Sequence, residues 1–156
     1  MMRALLALFM FAATNIASAA DWRYLIGDEN SIWFIDTSSL VSVASSRTGW
    51  VKIVVYKDAV AIRGMRSSMT KYAVHCKTRQ IQILSGTTYN MDGTVKMSNT
   101  KPGESAEVIP DSMGEAVYDL MCGPISKLSQ RKKVDTPIAV TDFYFDSQKV
   151  QQQSEP

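Results

Sequence analysis

The sequence predicts an α+β domain, an antiparallel sheet with a C-terminal helix packed on one face and tied to it by a disulfide. Three observations lead there. Aromatic and β-branched runs alternate with turn-forming clusters through the first two thirds of the chain. Residues 112–122 instead repeat apolar side chains at helical spacing. The chain's two cysteines, Cys76 and Cys122, fall one in a strand pattern and one at the end of that helix.

The first residues set the compartment. Arg3 precedes an apolar run from Ala4 to Ala13, and Ala17-Ser18-Ala19 is a small-x-small cleavage signal. A membrane span needs about 20 apolar residues, and Thr14-Asn15 breaks the run early. Residues 1–19 are therefore expected to be a signal peptide. No cysteine follows the cut, so no lipoprotein anchor is expected, and no later segment reads as a transmembrane anchor. The expected location is the periplasm or the medium.

Arg3 is the leader's single charge, so 17 basic residues fall to 16, against 15 acidic. That balance excludes the basic excess of a nucleic-acid module. The remaining length suits one domain. Two cysteines in an exported chain pair most simply with each other.

Residues 21–26 and 31–36 flank the polar Gly27 to Asn30 and read as a hairpin. Thr37 to Ser39 offer hydroxyls that cap a turn. Trp50 to Tyr56 is the strongest strand, apolar on both faces and so expected at the centre. Residues 59–67 read as a loop or short irregular helix. In 69–77, alternation puts Thr70, Tyr72, Val74 and Cys76 on one face and His75 on the other. Gln80 to Leu84 and Thr87 to Met91 continue in β character. Asp92-Gly93 signals a hairpin to Thr94–Met97, and residues 107–109 suggest a short strand.

The helix carries its own start and stop. Ser112 and Glu115 have capping-box spacing. Met113, Ala116, Val117, Leu120 and Met121 form one apolar stripe. Gly123 is expected to take a left-handed stop, and Pro124 forbids continuation. Beyond it, 125–135 is polar and basic, 137–145 reads as one more strand, and 148–156 as a flexible tail.

In this order the features resemble a known family. They are the Trp22 strand, Ile35-Asp36 with Ser39-Leu40 close behind, the Trp50 strand and the strand ending in Cys76. Then come Tyr89 with Asp92-Gly93, and Ile109-Pro110-Asp111-Ser112 leading into the helix that ends at Cys122. Over residues 21 to 123 the chain resembles the surface-adhesin protein E family of bacterial exported proteins. The resemblance implies a sheet of about six strands, the helix tethered to its concave face by the disulfide, a homodimer, and adhesion to host matrix proteins. It makes 20–147 a single adhesin-E-like domain. The chain departs from the family in lacking the lipoprotein cysteine, in lacking a tryptophan ahead of Ile109-Pro110, and in continuing to Pro156.

No catalytic constellation emerges, and no cofactor or metal site is expected. His75 is the single histidine, and a strand histidine on the open face is a simpler reading than a metal or haem ligand. Asp28, Glu29 and Asp36 read as solvated turn residues rather than a glycosidase pair. Trp22, Trp33, Trp50, Tyr56 and Tyr72 read as core before they read as an aromatic binding face. The candidate binding residues are His75, Arg63, Arg66, Arg131, Lys132 and Lys133. The expected function is a non-enzymatic exported binding module for a protein partner. The competing reading is a periplasmic accessory protein of the cell envelope with no host ligand.

Overall fold

A computed structural model describes residues 19–154. The expected signal peptide thus lies, but for Ala19, outside the described residues. Strands β1 (Trp22–Gly27), β2 (Ser31–Val43), β3 (Ser46–Val55), β4 (Ser67–His75), β5 (Gln80–Tyr89) and β6 (Val95–Asn99) form one antiparallel sheet in sequence order. A two-residue strand, β7 (Ala106–Glu107), pairs with β5. Between β3 and β4 the chain makes a 3-10 turn and one helical turn, α1 (Val60–Arg63).

Period-2 alternation explains the layers. On β3, Val51 faces one side and Val54 the other, and both are fully buried. The central position expected of that strand is what the sheet shows. Over the Val51 face lies α2 (Met113–Cys122), whose Val117, Leu120 and Met121 pack with Leu25, Ile35, Val51 and Val74. Leu128 of the short α3 (Ile125–Ser129) completes this core.

The helix α2 starts as expected. Ser112 Oγ accepts from the Glu115 N–H at 3.1 Å, and Glu115 Oε2 accepts from the Asp111 N–H at 2.8 Å. Its stop differs. Gly123 is extended (φ −72°, ψ 175°), not left-handed. Glycine is needed there for space, since a Cβ would stand 2.9 Å from the Asp119 carbonyl oxygen.

The opposite face is covered as well, which the sequence reading did not anticipate. Residues 137–145, expected as a strand, form the start of an 18-residue helix, α4 (Pro137–Ser154). Residues 148–154 continue this helix where a tail was expected. Proline suits the first helical position because its missing N–H has no helical partner there. Val140 and Phe145 pack on a second core of Trp22, Ile32, Phe34, Val54 and Val134.

Thr37 to Ser39 do not end β2. They fill an irregularity in the β2–β3 pairing between Asp36 and Val41. The Ser38 N–H donates to Asp36 Oδ1 at 3.0 Å, and the Trp50 N–H donates to Ser39 Oγ at 2.9 Å. The side-chain oxygens thereby satisfy backbone groups that the bulge takes out of the ladder.

Candidate functional site

The two cysteines are joined, with Cα atoms 5.6 Å apart. Around the bond, Tyr118 Oη donates to the Cys76 carbonyl at 2.8 Å. Arg47 donates to the carbonyls of Met121 (2.6 Å) and Gly123 (2.7 Å), so a cation closes the negative end of α2. The site is structural, and Cys76 carries no free thiol.

The six candidate binding residues are not gathered into one surface. His75 ends β4 and shares a 2.7 Å hydrogen bond with Ser46, its partner across β3 and β4. Arg66 precedes the other end of β4, roughly 30 Å away at strand rise. Arg63 pairs with Asp28 at 3.0 Å. Arg131 donates to the Leu25 carbonyl at 2.8 Å. The Lys132 carbonyl accepts from the Tyr24 N–H at 3.1 Å, and Lys133 lies 3.6 Å from Asp135. Residues 132–134 thus line the outer edge of β1.

Arg66 corrects the surface reading outright. It is 4% exposed, its guanidinium donating to the Val55 carbonyl and pairing with Asp142 of α4 at 2.6 Å. Burying a guanidinium is costly unless its donors are met, and here they anchor the helix. Further along α4, Asp146 accepts from Tyr56 at 2.5 Å and pairs with Lys57 at 2.7 Å. Lys149 pairs with Asp58 at 2.6 Å. Lys57 and Tyr56 hold the Asp146 carboxyl below the ordinary carboxylate range, and Lys149 does the same for Asp58.

The turn carboxylates act on their own backbone. Asp28 accepts from the N–H groups of Asn30 (2.8 Å) and Ser31 (2.7 Å). Burial opposes its ionisation, but these bonds and Arg63 outweigh burial and lower its pKa. Among the described residues no group of three His, Cys, Asp or Glu could hold a metal ion. The aromatic residues settle into the cores: Trp22 and Tyr56 are buried, and Trp33, Trp50 and Tyr72 pack against buried clusters.

Two features have no counterpart among the expectations above. The first is the open outer edge of the expected β5–β6 hairpin. All of β6 is exposed, with Val95 at 58% and Met97 at 64%. Among the described residues no strand pairs with its outer edge. The second is a cavity of about 520 Å³ on the α4 side, lined by Trp22, Lys52, Met69 and Ile138 among others. A lysine inside the apolar Trp50–Tyr56 run was the signal for it.

The model of the family described as Surface-adhesin protein E matches residues 22–123. The chain belongs to the surface-adhesin protein E family. The match takes in the sheet, α2 and both cysteines, whereas α4 lies beyond it. No curated protein sequence matches the chain. Among solved structures it is similar to protein E of Haemophilus influenzae. Crystal form II aligns at 12% identity and a TM-score of 0.48, over 72% of this chain and 93% of that one. A second protein E structure from that organism gives 11% and 0.47, over 74% and 91%. Protein E from a non-typeable strain gives 11% and 0.46, over 83% and 92%. Membership in the surface-adhesin protein E family rests on the family match. No described helix is long and apolar enough to cross a membrane.

Proposed function

We propose that this chain is an exported, non-enzymatic binding module that engages a protein partner, a host-matrix or envelope component, along the outer edge of β6. Family membership supports a binding role. The observation that carries the choice of surface is the unpaired β6 edge. Helices occupy both faces of the sheet, and residues 132–134 line the β1 edge. An unpaired strand offers a row of backbone donors and acceptors, and a partner can add a strand to it. Exposed Val95 and Met97 supply apolar contact on that strand.

The test is biolayer interferometry of the chain from residue 20 against a panel of purified matrix proteins. At least one is bound, and Val95→Asp with Met97→Asp weakens it about tenfold or more, because two charges must be desolvated at the edge. Binding that the double variant leaves intact contradicts the choice of surface, and binding to none of the panel rejects a host-matrix partner. Cell fractionation addresses the partner's origin. Protein found entirely in the periplasm rejects host adhesion and leaves an envelope component as the partner.

A further inference from the structure

The cavity beneath α4 contains a cation without a counter-charge. Lys52 projects from β3 on the α4 face, in register with Met69 of β4. Its ammonium lies 5.7 Å from the centre of the Trp22 ring. Among the described residues it makes no hydrogen bond and no ion pair. Arg66, the other cation of the cavity wall, is already committed to Asp142 and the Val55 carbonyl. Partial burial pulls the Lys52 pKa below that of an ordinary lysine, and no carboxylate offsets the loss of water.

The rest of the wall is chiefly apolar or aromatic. Trp22 comes from β1, Met69 from β4, Tyr89 from β5, Met91 from the hairpin turn and Ile138 from the first turn of α4. A recess of about 520 Å³ falls in the range of small-molecule sites, which pair an apolar wall with few convergent polar groups. A partly desolvated ammonium at such a wall attracts one negative charge and leaves the remaining surface to hydrocarbon or an aromatic ring.

We infer that this cavity binds an amphipathic organic monoanion, its carboxylate or sulfonate on Lys52 and its apolar body against Trp22, Met69 and Ile138. The site is separate from the β6 edge, and its test does not depend on any protein partner. Tyr89 and Met91 lie at the turn that joins β5 to β6, so the cavity adjoins the turn end of that hairpin.

Isothermal titration calorimetry with sodium decanoate below its micelle concentration tests the assignment, using the chain from residue 20. One decanoate binds per chain. Lys52→Met weakens it about tenfold or more, the loss expected for a charge-assisted hydrogen bond, whereas Lys52→Arg retains it. Ile138→Asp, at a residue 42% exposed, also abolishes binding by placing a carboxylate at the cavity. Decyltrimethylammonium, with the same tail and the opposite charge, does not bind. Equal binding to the wild type and to Lys52→Met overturns the assignment, as does equal binding of the cationic analogue. Failure of decanoate to bind overturns it too. Co-sedimentation with phosphatidylglycerol vesicles in the absence of decanoate binding points to a bilayer surface and rejects the cavity.

Discussion

At the scale of residues, charge acts mainly as mortar in this molecule. Arg66 illustrates it: a buried guanidinium whose partner, Asp142, belongs to a helix 76 positions later in the chain. Asp142→Ala leaves that cation buried and unpaired. The expected cost is about 3 kcal/mol, at the low end for a broken buried pair because Asp142 is partly exposed. For a domain of this size thermal denaturation should show a Tm lower by about 10 °C. A Tm within about 2 °C of wild type would show that the pair does not hold α4. Sequence alone could not assign Arg66 a role, because a basic residue near a glycine reads as surface until its distant partner is known. Lys52 was legible in principle, as a charge interrupting an apolar strand.

The carboxylates give a pH dependence of definite sign. Asp21, Asp28, Asp58, Glu115 and Asp146 are all held below their ordinary range, chiefly by hydrogen bonds, with Asp28 doing so against its own burial. The folded state therefore binds protons less readily than the unfolded one. The stability they contribute is complete above the unfolded carboxylate range and is lost as pH falls through the folded values. The urea midpoint should hold between about pH 7 and 5 and fall below about pH 4. Lys57 and Lys149 are raised by Asp146 and Asp58, so their contribution is present below the ordinary lysine value and is lost as pH rises past it. A midpoint that stays level or rises on acidification would contradict the carboxylate assignments.

At the scale of elements, two helices hold the sheet by different means. The helix α2 was legible from its capping box, its apolar stripe and Cys122, because each signal is local. Its disulfide closes a separation of 46 residues, which in the chain-entropy picture contributes about 4 kcal/mol. Replacing both cysteines by serine should lower unfolding free energy by that order in urea denaturation, while Arg47 and Tyr118 keep the helix in place. An unchanged free energy would mean that the reduced, unfolded chain is already compact. The second helix, α4, was misread as a strand. Ile138, Val140, Thr141, Phe143, Tyr144 and Phe145 favour β structure on propensity, and tertiary contacts override it. The helical signal was present in Pro137 and in the spacing of Asp142, Asp146 and Lys149, one row that meets Arg66, Lys57 and Asp58. Ending the chain at Thr136 should expose Phe34 and Val54, seen as increased binding of an apolar fluorescent dye and as self-association. A monomeric, dye-silent truncation would show that α4 covers nothing.

At the scale of the whole molecule, the two hairpins and the central Trp50 strand were legible from alternation and turn residues, and strand pairing in sequence order, as the sheet shows, is the simplest connection of such elements. Which surface is left for a partner was not legible, because it depends on what α4 and residues 132–134 cover. With both faces and the β1 edge occupied, β6 is, among the described residues, the longest strand with an unpaired outer edge. Amide hydrogen exchange read by mass spectrometry on the free chain tests this arrangement most directly. Slow exchange is expected across β3, α2 and residues 139–147 of α4, with fast exchange in β6. Fast exchange throughout α4, or protection of β6 equal to that of β3, would contradict it.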